Sequence, residues 1–497
     1  MKYDAVIVGS GFGGAFTAYR CIQAGLKTLL IERGQWAHRD DLDWSHQDIL
    51  IEKRYKSRSP IAVQQYGARK KSKLYPNEVV GGNSVFYGGA SLRLRESDFS
   101  QWPFDYHELE PFYSCAESLL EVHGQASSDP KEPRRSSDYP GSNPELTSPA
   151  RRIQTAAVKM GLKPFPIPLA INFDNSERPL CILCTTCDGF PCKIQAKNDV
   201  TAMVLRMAQQ GGLDIVAGLA ACNFVVSHGK VEEVHAIEMD KKCTPVRLQG
   251  SLFFLSAGAL QSPAIMQRSS LSSTGEEWIG RCLMRHCNAV VAGIFPFRTN
   301  PENLFHKQLC FTDFYEHFRG RYGTSTGIIQ DIYTPAKEVI STFAPFGVKR
   351  IAAGLSRYMQ NLLCIAEDDP RSENAVTLTN DRDNFGMQIA HVHHQYGLPD
   401  YERRDFLVSK ARKVLKAAGA WKTQKYEIDT FSHAVGTVRC GDSPKVSALD
   451  RDCRVWGIEN LYVVDGSCFP TSGGVNPSLT IAANALRVTN SVVGRHL

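Results

Sequence analysis

The N-terminal residues 4–34, DAVIVGSGFGGAFTAYRCIQAGLKTLLIERG, combine two apolar runs with a helical pattern between them. The run from Ala5 to Val8 predicts a strand, and the amphipathic stretch from about Ala15 to Ala24 predicts a helix. A second apolar run, Thr28 to Ile31, predicts another strand that ends at Glu32. The order strand, helix, strand is one complete βαβ unit, which indicates a parallel sheet and an α/β fold.

Two later segments contain further elements that their apolar patterns predict. Residues 251–269, SLFFLSAGALQSPAIMQRS, read as a buried strand, a turn of small residues and the start of a helix. Near the C-terminus, Pro477 to about Val493 reads as an apolar helix. No apolar run approaches the roughly 20 residues of a membrane helix, so we expect no membrane span.

The turn of the first βαβ unit has the spacing of a dinucleotide-binding motif. Gly9 permits a tight turn, Gly11 lets the backbone approach a pyrophosphate, and Gly14 lets helix and strand pack closely. Glu32 follows at the place where an acidic residue accepts from a ribose 2′-OH, and its charge disfavours the 2′-phosphate of NADP. NAD and FAD both remain open. The residues expected to contact the dinucleotide are Gly9, Gly11, Phe12, Gly13, Gly14 and Glu32.

A second glycine cluster begins within residues 79–113, at Gly81 and Gly82, and continues with Asn83 and Ser84. Bare backbone at these glycines fits against a flat ring system. A glycine-rich turn followed by a strand explains the segment equally well. The cluster alone leaves the two interpretations open.

Four cysteines lie within the twelve residues CILCTTCDGFPC, at Cys181, Cys184, Cys187 and Cys192. The first three have the spacing of an iron–sulfur loop, but four residues separate the last pair, and a proline precedes the final cysteine. An iron–sulfur cluster, a disulfide or bare thiols, and a zinc site are the alternatives. We expect a loop that is structural first, with no metal.

Composition narrows the class of protein. The 497 residues exceed one ordinary core, so two domains are expected, and 22% charged with 43% hydrophobic residues is usual for globular chains. The net charge is +6, and the densest basic runs lie within residues 53–73 without any nucleic-acid motif, so we expect no nucleic-acid partner. The chain enters a strand at once, which leaves no room for a signal peptide, and its odd total of 15 cysteines suits a reducing compartment. A cytoplasmic protein is therefore expected.

Several motifs together resemble the glucose–methanol–choline (GMC) oxidoreductases, a family of FAD enzymes. They are GSGFGG, VVGGNSVFYGG, LFFLSAGALQSPAIMQRS, EDDPRSENAVTL and VVDGSCFPTSGGVNPSLT. The resemblance implies an α/β fold in which an interrupted Rossmann-like FAD-binding domain is joined to a sheet-based substrate domain. Residues 1–100, 195–290 and 435–497 would form the FAD-binding domain, and residues 101–194 and 291–434 the substrate domain.

The same resemblance implies an active site. His433, in SHAVGT, matches the family's catalytic histidine, and Asn476, in GGVNPS, matches its second active-site position. A neutral imidazole suits a general base, whereas an amide can orient the substrate oxygen but cannot take its proton. Asn476 also precedes a proline at a helix start, where N-capping competes with catalysis for its side chain. The residues implied to line the flavin are Gly81, Gly82, Asn83, Ser84, Val85, Asp465, Gly466, Asn476 and Pro477.

The resemblance implies oxidation of a CH–OH group of an alcohol or sugar, with O2 or an electron carrier as acceptor. Some relatives attach FAD through a histidine in the second glycine cluster, but Val85 and Phe86 stand there, so non-covalent FAD is expected. The alternatives are a flavoprotein of this fold with lyase or decarboxylase chemistry, and an NAD-dependent dehydrogenase. The histidines of HVHH, His391 to His394, are expected to end a strand rather than to bind a metal.

Overall fold

The computed structural model describes residues 2–65, 72–240, 242–304, 307–343, 347 and 349–496. The fold is mixed α/β with several sheets, as predicted. Its strands are β1 (Lys2–Val8), β2 (Thr28–Glu32), β3 (Ile61–Gln65), β4 (Ser72–Leu74), β5 (Phe165–Pro166), β6 (Asp214–Ala217), β7 (Leu219–Ser227), β8 (Lys230–Glu238), β9 (Pro245–Leu255), β10 (Ala289–Ile294), β11 (Leu309–Phe311), β12 (Gly327–Ile332), β13 (Met359–Ala366), β14 (Ala375–Arg382), β15 (Gln388–His394), β16 (Lys422–Glu427) and β17 (Leu461–Val463).

The helices differ widely in length, from one turn to five. They are α1 (Phe12–Gln23), α2 (Tyr106–Leu119), α3 (Ser148–Lys159), α4 (Val204–Gln210), α5 (Ser262–Arg268), α6 (Arg319–Tyr322), α7 (Lys337–Phe343), α8 (Lys349–Leu355), α9 (Leu398–Ala417) and α10 (Ser478–His496). Local chemistry sets several of their starts: Asp105 caps α2 by accepting from the N–H of Glu108, and α3, α5 and α9 carry proline in their first turn.

The first sheet contains the predicted βαβ unit. Its order is β6-β2-β1-β9-β8-β7, with β17 paired to β9. Strand β1 runs parallel to β2 and β9, and β17 runs parallel to β9. Helix α1 begins at Phe12, before the predicted Ala15, because the motif glycines already form its first turn.

The second sheet is antiparallel, in the order β16-β10-β13-β12-β11-β5. Apolar residues on one of its faces pack with α3 and α9 in a core of their own. Residues of the opposite face, such as Ile328 and Ile365, share a core with the first sheet. One face of this sheet is therefore directed at the first sheet. A third sheet, β14-β15-β3-β4, completes the fold. The division into two domains at the stated boundaries stays a prediction.

Two details differ from the sequence interpretation. After the second glycine cluster the chain forms a short 3-10 helix, Gly82–Phe86, so the alternative of a turn followed by a strand is wrong. The C-terminal helix begins at Ser478, one residue later than expected. Part of the basic run, residues 66–71, lies outside the described residues. Among the helices that the structure describes, none has the length and apolar character needed to cross a bilayer.

Candidate active site

The candidate site lies where the parallel strands of the first sheet end. Val8, Leu255 and Val463 are in register at the ends of β1, β9 and β17. The segments that follow these strands carry the motif glycines, the turn of small residues and Asp465, and Glu32 ends the neighbouring β2. In open α/β sheets, ligands bind at this edge.

The first glycine loop is tightly packed on one side and open on the other. Gly9 has φ +96°, a conformation that strongly favours glycine, and a Cβ on Gly14 would overlap the carbonyl oxygen of Gly9. A Cβ on Gly11, by contrast, would have no atom within 4 Å. The N-terminus of α1 therefore faces open space where an anion can bind.

Ser10 joins this loop to the second glycine cluster. Its hydroxyl accepts from the N–H of Gly81 at 2.8 Å and donates to Glu32 Oε2 at 2.5 Å. Glu32 also accepts from the N–H of Ser10 at 3.0 Å and from that of Gly34 at 2.9 Å. Burial raises the pKa of Glu32 despite these hydrogen bonds. The two glycine segments are thus fastened to each other beside an acidic side chain.

The second glycine segment presents mainly backbone. Ser84 Oγ donates to the carbonyl of Gly81 at 2.7 Å, and Gly82 has φ +52°. Val85 is fully buried in a small apolar cluster, whereas Asn83 is exposed and accepts from Asn77. The side chain of Asn83 is therefore not buried with the rest of the segment.

Asp465 ties the C-terminal segment to the end of β9. Its Oδ2 accepts from the N–H of Gly258 at 2.8 Å and from Ser262 Oγ at 2.5 Å. Its Oδ1 accepts from the N–H of Ser467 at 2.8 Å. The segment that carries His433 runs beside it, because Gly436 N–H donates to the carbonyl of Gly466 at 2.9 Å. His433 is thereby brought to the same edge of the sheet.

His433 contacts a second histidine that lies 147 positions away in the chain. The Nδ1 atoms of His433 and His286 are 2.9 Å apart, and their rings are nearly perpendicular. His286 is almost fully buried, and its Nε2 lies 2.9 Å from the carbonyl oxygen of Gly473 and 3.3 Å from that of Ser472. The pair connects His433 to the segment that leads to Asn476.

These contacts assign the tautomers of both rings. A carbonyl oxygen only accepts, so Nε2 of His286 carries a proton. Burial is the main reason why the pKa of both His286 and His433 is lowered, so both rings are neutral at neutral pH. The Nδ1 of His286 is then an acceptor, and His433 donates to it from Nδ1–H. Nε2 of His433 consequently holds a lone pair.

The backbone holds His286 firmly. His286 has φ +59°, which is strained for a residue other than glycine. Its N–H donates to Asp368 Oδ1 at 3.0 Å, and the N–H of Arg285 donates to Asp368 Oδ2 at 2.8 Å. Tyr396 donates its hydroxyl to the carbonyl of His286 at 2.7 Å. Asp368 and Tyr396 therefore fix the position of the ring that orients His433.

Asn476 is held by a side chain from the second sheet. Its Oδ1 accepts from Gln330 Nε2 at 2.7 Å, and Gln330 lies on β12. The helix begins at Ser478, and Pro477 supplies the carbonyl that accepts from the N–H of Ile481 at 3.0 Å. The amide oxygen of Asn476 is thus used by Gln330, and its Nδ2 group is available as a donor to a ligand.

The cysteine loop forms an ion pair with a lysine whose charge acts on the candidate site. Asp188, within the loop, forms an ion pair at 3.0 Å with the buried Lys307. The charge of Lys307 also contributes to the lowered pKa of His433, after burial and His286. All fifteen cysteines are free thiols, and in the described ranges no three His, Cys, Asp or Glu side chains are grouped as metal ligands.

The HVHH segment forms the end of β15. The rings of His391 and His393 lie 4.1 Å apart on one face, while His394 is buried on the other. This arrangement agrees with the alternation that the sequence predicted.

Sequence reasoning missed the residues that position the site. They are Ser10, Gly258, His286, Gln330 and Lys307. Gly258 lies in the small-residue turn SAGAL, and Gln330 directly follows two isoleucines in the strand GIIQDI, so both had a signal. His286 had none, because nothing in its neighbourhood indicates that its ring meets His433.

Comparisons with known proteins identify the family. Models of the GMC oxidoreductases match residues 3–288 and residues 370–485. This chain is a GMC oxidoreductase. The family predicted from the sequence motifs is confirmed. The predicted fold class and the prediction of a GMC-type oxidoreductase are confirmed as well.

Individual relatives of this GMC oxidoreductase match over nearly its whole length. The 6'''-hydroxyparomomycin C oxidase of Streptomyces lividus is 28% identical, covering 100% of this chain and 92% of its own. The 2-methyl-1,2-propanediol dehydrogenase of Mycolicibacterium austroafricanum is 25% identical, with 99% and 95% covered. A solved structure, pyridoxine 4-oxidase from Mesorbium loti, superposes with a TM-score of 0.73 at 18% identity, covering 99% of each chain. That structure supports the fold alone.

Proposed function

We propose that this GMC oxidoreductase removes hydrogen from a CH–OH group of a small alcohol or sugar, with FAD as its cofactor and His433 as general base. The observation that supports this most strongly is the histidine pair. It leaves His433 Nε2 unprotonated at the edge of the sheet where the motif glycines lie. A lone pair at this place is what abstraction of a hydroxyl proton requires.

The open side of the first glycine loop fits FAD. The backbone at Gly11 and the N-terminus of α1 would hold the pyrophosphate, and Glu32 would accept from the adenosine ribose. Gly82 and the residues that follow it would lie along the ring system, and the Asp465 segment would close the pocket. When bound, FAD supplies the acceptor for the hydride that leaves the substrate carbon. Family membership favours FAD over the NAD alternative.

His433 would receive the hydroxyl proton at Nε2. Its Nδ1–H would continue to donate to His286 while the ring carries the positive charge, so the charged form keeps its hydrogen bond. His286 itself is a positioning residue, because it acts on the substrate only through His433. Its contact with Gly473 fixes which nitrogen faces the substrate.

Asn476 would hold the substrate oxygen. Because Gln330 donates to the amide oxygen of Asn476, the Nδ2–H group of Asn476 would be the donor to the ligand. A donor at the reacting oxygen orients the C–H bond and stabilises the charge that develops on oxygen as the proton leaves. This role removes no proton, so its loss should cost less than the loss of His433.

The relatives' names include both oxidases and dehydrogenases. We propose O2 or an electron carrier as the acceptor, and a non-covalent FAD, since Val85 and Phe86 offer no nucleophile for attachment. The experiment is anaerobic mixing of the yellow holoprotein with a panel of alcohols and sugars. Loss of flavin absorbance on mixing supports the proposal, and flavin that stays oxidised with every alcohol argues for lyase or decarboxylase chemistry instead.

A further inference from the structure

Gln330 is a polar side chain on β12, between Ile329 and Asp331. It is fully buried. Side chains alternate along a strand, so Gln330 lies on the same face as Ile328 and opposite to Ile329. Ile328 belongs to the core shared with the first sheet, whereas Ile329 packs in the core with α9. The Gln330 side chain is therefore directed at the candidate active site.

The two ends of the Gln330 amide differ in their partners. Nε2 donates to Asn476 Oδ1 at 2.7 Å. Oε1 is buried and has no hydrogen-bond partner in the protein. Buried polar atoms are nearly always paired, and an unpaired one in a site is an acceptor that a ligand can satisfy. The amide that would bind the reacting oxygen thus lies directly beside an unused acceptor.

The neighbouring groups are polar as well. Lys307 is buried in an ion pair with Asp188, and its charge contributes to the lowered pKa of His433. A buried ion pair whose charge acts on the base makes its surroundings more polar, which suits a substrate rich in hydroxyl or amino groups better than a purely apolar one.

Resting on the proposed function, we propose that Gln330 is a specificity-determining residue. Its Oε1 accepts a hydrogen bond from a second O–H or N–H group of the substrate, close to the carbon that is oxidised. The preferred substrates are therefore polyols, sugars and amino alcohols, and simple alkanols are poor substrates. A site that hydrogen-bonds a substrate hydroxyl discriminates strongly against the analogue that lacks it, because the protein acceptor is then left unpaired.

The test compares propane-1,2-diol with propan-1-ol and propan-2-ol. Anaerobic flavin reduction is followed as a function of alcohol concentration, giving a limiting rate and a dissociation constant for each alcohol. We expect the diol to exceed both monoalcohols at least about tenfold in the ratio of rate to dissociation constant. In Gln330→Met, which has a similar length but no polar atom, this preference should fall to about one.

Two further variants separate the roles of the amide. Gln330→Glu keeps an acceptor but loses the donor to Asn476, so it should retain a preference for the diol while all rates fall. Gln424→Met makes the same replacement at an exposed site on β16 and should leave the preference as in the wild type. FAD content and thermal stability show whether each variant is folded.

The outcomes are distinguishable. If the wild type reduces its flavin equally well with diol and monoalcohols, or if Gln330→Met keeps the preference, the specificity role is wrong while the proposed function stands. If neither these alcohols nor any member of the panel of alcohols and sugars reduces the flavin, the proposed function fails, and the role of Gln330 fails with it.

Discussion

The Nδ1 atoms of His286 and His433 lie 2.9 Å apart, and this contact determines which nitrogen of His433 is free to act. His286 donates from its other nitrogen to the carbonyl of Gly473, so it can only accept from His433. The base is therefore prepared by a neighbour that never touches the substrate.

Two substitutions of His286 separate its two contacts. Asn reproduces the Nδ1 position of the ring and can accept from His433, whereas Gln reproduces the Nε2 position and can donate to Gly473. We expect His286→Gln to slow flavin reduction by about tenfold or more, because His433 is free to adopt the other tautomer, and His286→Asn to slow it less. Stopped-flow reduction measures both rates.

The matched control is His235→Asn, at a partly exposed histidine on β8 that bonds only to Glu233 among the contacts described. It should leave the rate unchanged. Equal rates for the Asn and Gln variants of His286 would contradict the assignment of the tautomer.

The pH dependence of flavin reduction should report the environment of His433. Burial, His286 and Lys307 hold the pKa of His433 well below its usual value, so the ring stays neutral and able to accept a proton in mildly acidic solution. The rate of reduction should therefore fall only below pH of about 6.5, the ordinary pKa of histidine. A rate that already falls between pH 8 and 7, on the order of one unit above the ordinary pKa of histidine, would contradict the lowered pKa of His433.

The effect of the Lys307 charge on the acid limb, which is the fall of the reduction rate at low pH, can be tested directly. Lys307→Met removes a positive charge that contributes to the lowered pKa of His433. The acid limb should move to higher pH, because the protonated imidazole is then less strongly opposed. Arg151→Met, at an exposed position on α3, is the control for loss of one cationic side chain and should leave the limb in place.

Glu367 should make stability depend on pH. Burial, followed by the nearby charge of Asp98, raises the pKa of Glu367 to about 8, above the value of about 4.3 in an unfolded chain. The folded state thus binds this proton more tightly, and the associated stability is complete below about pH 4 and is lost as the pH rises towards 8. Glu367→Gln should flatten the fall of melting temperature over this range.

That result needs a comparison with an exposed carboxylate. Glu145→Gln, at a highly exposed side chain, should leave the melting curve against pH as in the wild type. A Glu367→Gln protein whose melting temperature falls with pH as steeply as the wild type would show that Glu367 ionises normally.

The cysteine loop should contain no metal. Its thiols are free, and they are not grouped as metal ligands in the described part of the chain. We expect iron, acid-labile sulfide and zinc to be far below one per chain in anaerobically purified protein. Three or four irons with matching sulfide would instead make the loop an exit for electrons.

The contribution of the cysteine loop to thermal stability should come from its ion pair rather than from its thiols. Asp188→Asn leaves the buried Lys307 without its partner, so it should lower the melting temperature more than Cys184→Ser, which changes only a partly exposed thiol. Equal effects on melting temperature would argue against the structural role of the pair.

Local patterns in the sequence predicted the parts of the fold that local residues determine. The unit from β1 to β2 follows from apolar periodicity and from glycines whose conformations are required within a few residues. The end of β15 follows from simple alternation. The 3-10 helix at Gly82–Phe86 was not predicted, because Ser10 fixes Gly81 from a position 71 residues away.

The site also combines features that local motifs reveal with features that depend on distant residues. His433 and Asn476 were found through motifs around them, but their partners were not. His286 and Gln330 are 147 and 146 positions from the residues they hold. A backbone bridge between Met284 and Val435 brings the two histidines together, and the packing of the second sheet against the first brings Gln330 to Asn476. Such pairs leave no periodic signal in one sequence.

The central claim is that His433 takes the proton from an alcohol. The most direct measurement is anaerobic flavin reduction by the best substrate in the wild type, in His433→Ala and in Asn476→Ala, each with its FAD content measured first. We expect His433→Ala to retain FAD and to lose at least about a hundredfold in the limiting rate, and Asn476→Ala to lose less. Reduction of the His433→Ala protein at nearly the wild-type rate would place the base elsewhere.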